Sequence, residues 1–196
     1  MEASDGLPRV IAFIDGQNLT HALRHSFGMR RPSFDLKRTI QAVCEKQGWQ
    51  LEQVRFYTGI PDEQVSPDLH AYWMRRLSQF GRQGIVTWKR RNSYSMQTTT
   101  CKECGFTEER KVGREKGADM RIALDALRLT YESKLDVALV FTQDQDFFEL
   151  AAEIRSVARY MKRDVEVASA FPRGEGRYRG GIRGTKQIPL SREDFL

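Results

Sequence analysis

Short apolar runs alternate with helical spacings along most of the chain. Arg9 to Ile14 (RVIAFI) is apolar and halts at Asp15-Gly16, which reads as a buried strand ending in a turn. Phe34 to Lys46 places Leu36, Ile40, Val43 and Cys44 at the spacing of one helix face. Gln53 to Thr58 (QVRFYT) is β-branched and aromatic, and Gly59-Ile60-Pro61 ends it, predicting a second strand. Pro67 to Phe80 predicts a helix with Leu69, Tyr72, Trp73, Leu77 and Phe80 on one side. Gly81 to Gly84 ends that helix, and Ile85 to Trp88 is a third strand. Lys89 to Glu115 breaks the rhythm. It is polar, with threonines at 98–100 and the sequence Cys101-Lys-Glu-Cys104, and it predicts an inserted hairpin or loop. A long helix runs from Gly117 or Ala118 to about Ser133, with Met120, Ile122, Ala123, Leu124, Leu127 and Tyr131 expected to be largely buried. Asp136 to Phe141 (DVALVF) is the most hydrophobic strand and runs into Thr142-Gln-Asp144-Gln-Asp146. Phe147 to Met161 is a helix, Asp164 to Ala170 a fifth strand, and Pro172 to Gly184 a loop rich in Gly and Arg.

Strands alternating with helices predict βαβ units and a parallel sheet covered on both faces. The 196 residues suit one domain, with a core over about 9–170, an inserted hairpin or loop over about 89–115 and the Arg/Gly-rich loop over about 172–186. Hydrophobic residues at 40% and charged residues at 30% exclude a disordered chain. No apolar run is long enough to span a bilayer. Met1 to Pro8 carries two acids and no basic segment, so no signal peptide is expected. Three cysteines argue for a reducing, cytoplasmic setting and against a disulfide framework. A net charge of +6 favours polyanionic partners.

Two strands end in acids, Asp15 after RVIAFI and Asp144 after DVALVF. Ligands of open α/β sheets sit outside the carboxyl ends of the strands, so these acids are expected to share one crevice. Asp146 stands at the mouth of the next helix, and Asp119 in the first turn of the long one. A single aspartate after a strand is usually a turn or cap residue. Four at element ends are harder to read that way, because clustered carboxylates repel unless a cation neutralises them. Mg²⁺ or Mn²⁺ prefers such oxygen ligands, and a bound ion reverses the local charge, orients a phosphodiester and lowers the pKa of water. Asn18 reads equally as a helix N-cap or a ligand to a metal-held water. Asp125 faces elsewhere on its helix and reads as structural; Asp136, at the opposite end of its strand, reads as a turn residue.

Three stretches together resemble a NYN domain of the PIN-like nuclease superfamily: Phe13-Ile-Asp15-Gly16-Gln17-Asn18-Leu19, Lys116-Gly117-Ala-Asp119, and Phe141-Thr-Gln-Asp144-Gln-Asp146-Phe147. The resemblance implies a PIN-like three-layer α/β/α sandwich with a mostly parallel central sheet, and a metal-dependent ribonuclease. Asp15, Asp119, Asp144 and Asp146 match the family's acidic positions, and Asn18 its accompanying polar residue. Thr142-Gln143 stands where the family commonly has Ser-Gly. PIN-like proteins often pair, so a homodimer is an expectation from resemblance alone.

Basic residues bunch at Arg24, at Arg30-Arg31, at Arg75-Arg76, at Lys89-Arg90-Arg91, and at Arg173, Arg177, Arg179, Arg183 and Lys186. Lys116, Arg90, Arg91, Arg177 and Arg179, together with Asn18 and Thr142, are the candidate contacts to single-stranded RNA. Cys101 and Cys104, followed by Gly105, supply half of a four-ligand zinc site. Chance placement at a hairpin turn is the preferred reading, so the protein is expected to lack stoichiometric zinc; a site shared across a dimer is the alternative. The alternatives to a ribonuclease are an RNA-binding regulator with little catalysis and an aspartyl-nucleophile phosphatase. The phosphatase usually needs a second acid where Gln17 stands.

Overall fold

β1 (Arg9–Asp15) is covered on both faces from Val10 onward, as a central parallel strand must be. Val10, Ala12 and Ile14 join one core with Leu19, Leu23, Ile40, Trp73 and Phe80, while Ile11 and Phe13 join the other with Ile122, Ala126, Leu150 and Ile154. Side chains alternate across a strand, so this split puts one helix layer on each face. The computed structural model describes residues 6–29, 34–101, 103–174 and 180–195, with Arg110 described through its backbone only. After β1 come α1 (Gly16–Phe27), α2 (Leu36–Gln47), β2 (Gln50–Ile60), α3 (Pro67–Arg82), β3 (Val86–Arg91), β4 (Ser93–Thr100), β5 (Thr107–Arg114), α4 (Ala118–Tyr131), β6 (Val137–Phe141), α5 (Phe147–Tyr160), β7 (Glu166–Pro172) and β8 (Lys186–Leu190).

The main sheet has six strands in the order β3-β2-β1-β6-β7-β8, and every neighbouring pair is parallel. The chain starts in the middle, builds outward to β3, returns to the middle at β6 and builds outward again to β8. The reversal falls between β1 and β6, where such sheets open a crevice at their carboxyl edge. β4 and β5 pair only with each other, as an antiparallel ribbon. It is the insertion expected over about 89–115, narrowed at its start because Lys89 to Arg91 belong to β3. The fold is the mixed α/β, PIN-like three-layer sandwich that the sequence implied. No helix among the described residues is long and apolar enough to cross a membrane.

Two features differ from the sequence reading. β8 (KQIPL) was not predicted: only Ile188 and Leu190 are buried, and Pro189 argues against a strand. Its place at the sheet edge explains both, because an edge strand has one unpaired side and tolerates proline. Met120, Leu124 and Tyr131 are 64%, 56% and 63% exposed, contrary to expectation. α4 is apolar around more of its circumference than the sheet can cover, and the stripe Ala118, Ile122, Ala126 and Leu129 takes the buried face.

Asp125 is structural, as expected. It lies 2% exposed on α4 and accepts from Arg55 Nη2 at 2.8 Å and from the Tyr57 hydroxyl at 2.9 Å. Arg121 pairs with its other oxygen at 3.0 Å. Burial pushes its carboxyl up, but the bonds from Arg55 and Tyr57 and the nearby positive charges outweigh that and hold it below the usual value. Asp125→Ala leaves Arg55 buried beside an empty site and is expected to cost about 3 kcal/mol in urea unfolding. A loss under about 1 kcal/mol would mean that Arg55 finds water or another partner. Asp136, at the amino edge, binds Arg9 and Arg163 at 2.9 and 2.7 Å, far along the strand from the crevice.

Candidate active site

The turn out of β1 sets the first acid. Asp15 is the N-cap of α1, and its Oδ1 accepts the Asn18 backbone N–H at 2.9 Å. The cap is therefore Asp15 and not Asn18. Asn18 Oδ1 instead accepts the backbone N–H of Gln143 at 3.0 Å, tying α1 to the turn after β6. Thr142, 2% exposed, continues this link. Its hydroxyl lies 3.5 Å from Asp15 Oδ2 and accepts the Asp144 backbone N–H at 3.2 Å. Its burial makes Thr142 a positioning residue rather than a surface for substrate. Asp144 Oδ1 accepts the Asp146 N–H at 3.0 Å, an Asx turn that leads into α5. Gln143 is not among the positive-φ residues, so the turn takes glutamine in place of glycine without backbone strain.

Asp15 is 6% exposed. Its carboxyl is raised to about 7: burial is the largest cause, the Asn18 N–H opposes it, and the charges of Asp119, Glu115 and Asp144 add to the rise. Asp119, in the first turn of α4, is raised by partial burial and then by Asp144 and Asp146. The acids from three widely separated segments thus feel one another. Glu115, just before α4, was missed by the sequence reading. Burial raises its carboxyl and Asp119 adds to the rise, while the Gly59 N–H opposes them. That N–H approaches without closing a hydrogen bond, and both Glu115 oxygens are buried and unpartnered, as is Asn92 Oδ1. Both side chains press on Gly59: a Cβ there would lie 2.1 Å from Asn92 Oδ1 and 3.0 Å from Glu115 Cβ. The available signal was a carboxylate two residues before the glycine cap of an acid-bearing helix.

Unpartnered buried oxygens beside an acidic cluster are what a hard cation satisfies. The donor set is all oxygen, which suits Mg²⁺ or Mn²⁺. Among the described residues, however, no three His, Cys, Asp or Glu side chains are gathered closely enough to hold an ion as they stand.

Basic groups line the same edge. Arg90 and Arg91 end β3 and are exposed. A Cβ on Gly117 would meet Arg90 Nη1 at 3.2 Å, which puts that guanidinium at the start of α4. Lys116 is exposed one residue earlier. Gln145 ties the loop before β8 to the turn after β6, donating to the Gly181 carbonyl at 3.0 Å and accepting the Arg183 N–H at 3.1 Å. Arg177 and Arg179 lie outside the described residues. Arg76 is buried, donating to the Phe34 carbonyl at 3.0 Å and stacking on Phe80; it belongs to the core and not to a basic surface. Cys101 and Cys104 are exposed at the ribbon tip.

An open parallel sheet with acids outside the carboxyl ends of its central strands is an α/β architecture with a switch-point site. The NYN domain family matches residues 9–174, and the chain belongs to that family, within the PIN-like nuclease superfamily. Among solved structures it is similar to a protein of unknown function from Vibrio parahaemolyticus RIMD 2210633. The identity is 18% and the TM-score 0.53, over 100% of this chain and 99% of that one, a likeness of fold alone. MurG of Acinetobacter baumannii aligns at 12% identity and a TM-score of 0.33 over 83% of this chain and 35% of that one, too distant to inform the site. No curated protein matches.

Proposed function

We propose that the protein is a divalent-metal-dependent ribonuclease that hydrolyses single-stranded RNA at the mouth between β1 and β6. The observation that carries this reading is the mutual repulsion of Asp15, Glu115, Asp119 and Asp144, with the Glu115 carboxylate buried and unpartnered. Such an arrangement costs stability with no cation present. Asp15, Glu115, Asp119 and Asp144 would hold Mg²⁺ or Mn²⁺, with Asp146 at the rim. When bound, the ion supplies positive charge to the phosphodiester and lowers the pKa of water. Asp15 is fixed by the Asn18 amide, and the Asn18 side chain in turn fixes the Gln143 backbone, so α1 and the β6 turn cannot drift apart. Thr142 sets the direction of Asp144 through its backbone. Arg90, Arg91 and Lys116 bind flanking phosphates, and their charge offsets the repulsion between the acids and RNA.

The RNA-binding regulator keeps one observation in its favour, the absence of a ready-made metal cage among the described residues. Labelled single-stranded RNA incubated with Mn²⁺ or Mg²⁺ separates the two. Cleavage that stops with EDTA supports the enzyme, whereas tight binding with no cleavage supports the regulator. The phosphate contacts are tested separately: replacing Arg90 and Arg91 together by Ala is expected to lower the salt slope of RNA binding by about 1 to 2. An unchanged slope removes these residues from the interface.

A further inference from the structure

An isolated two-stranded ribbon is at best marginally stable in water, and β4–β5 is such a ribbon. It pairs eight residues from Ser93↔Arg114 to Thr100↔Thr107, and every described residue from Thr98 to Glu109 is exposed. No core layer holds its outer half. Its tip is nevertheless built in detail. The Cys101 N–H donates to the Phe106 carbonyl at 2.8 Å, and the Gly105 N–H donates to the Cys101 carbonyl at 3.0 Å. Gly105 adopts φ 69°, a left-handed turn that a side chain would resist. The turn thereby presents Cys101 and Cys104 together at the exposed tip of the ribbon.

We propose that Cys101 and Cys104 are two of the four thiolate ligands of a structural zinc ion, and that the same pair from a second copy of this chain supplies the other two. Structural zinc is tetrahedral and closed by four ligands. This chain offers two at the tip. Cys44 is 1% exposed within the core, and among the described residues no third His, Cys, Asp or Glu joins the pair. Two tips meeting about a two-fold axis complete the set with identical parts. The four thiols release their protons to solvent as the four Zn–S bonds form, with no redox step. Phe106, 67% exposed beside the pair, would be covered by the facing tip. Metal binding then supplies the stability that the ribbon has no core to provide. Of the two readings open from the sequence, this geometry favours the shared site over a chance turn.

The full chain, purified under reducing conditions with zinc present, tests this by elemental analysis and sedimentation. The expected result is one zinc per two chains and a dimer that falls to half its mass when a strong chelator removes the metal. Cobalt substitution is expected to give the intense visible bands of a tetrahedral tetrathiolate site. Cys101→Ser and Cys104→Ser should each lose both metal and dimer while the circular dichroism spectrum of the folded domain is kept, and Cys44→Ala should keep both metal and dimer. Absence of bound zinc, one zinc in a monomer, or zinc loss from a dimer that stays whole would each overturn the proposal. None of these results depends on RNA cleavage.

Discussion

In Mn²⁺, Asp144→Asn is expected to lower the rate of single-stranded RNA cleavage by more than about 100-fold, with Asp15→Asn and Asp119→Asn close behind. The substitution keeps the shape of the turn. Asp144 Oδ1 accepts the Asp146 N–H, and an asparagine oxygen can do the same. What disappears is one negative charge at a mouth where several acids already raise one another. RNA binding measured in EDTA is therefore expected to hold or tighten, since less negative charge faces the phosphates. That split separates loss of chemistry from loss of fold. Glu115→Gln should share the defect, because its carboxylate is unpartnered without a cation. If Asp144→Asn cut at the wild-type rate, the carboxylates would not be the seat of catalysis.

The sequence carried the sheet further than it carried the site. The buried strands β1 and β6 were legible because a parallel strand covered on both faces reads as an unbroken apolar run. β8 was hidden by its single buried face and Pro189. The convergence of Asp15 and Asp144 followed from topology, since both end strands at the switch point. Glu115 was hidden because its significance is environmental. It follows a polar ribbon, and only the folded chain shows that its oxygens are buried against Gly59 with no donor. Thr142 was read as a substrate contact because a hydroxyl at a site suggests one. Its burial instead makes it the link between two acids. For α4, hydrophobic spacing alone could not tell which of several apolar stripes would face the sheet.

Asp15→Asn is expected to stabilise the metal-free protein at alkaline pH and to leave it nearly unchanged in acid. The Asp15 carboxyl rises from an ordinary 3.8 to about 7 in the fold, which corresponds to about 4 kcal/mol between its two protonation states. Below pH about 4 it is neutral in both folded and unfolded chains, and its burial carries no charge penalty. Between about 4 and 7 the unfolded chain gives up the proton while the folded chain retains it, so stability falls as pH rises. Above that window both forms are ionised and the full penalty remains. Asparagine is neutral throughout and can still accept the Asn18 N–H that caps α1. In EDTA at pH 8 the variant should melt on the order of 10 °C above the parent, with the gap closing toward pH 4. Mn²⁺ should raise the parent's melting temperature at pH 8 much more than the variant's, because a cation relieves the same repulsion by another route. Equal melting temperatures at pH 8 without metal would show that water or a neighbouring donor already stabilises the Asp15 charge, and the electrostatic case for a cation at this mouth would fail with it.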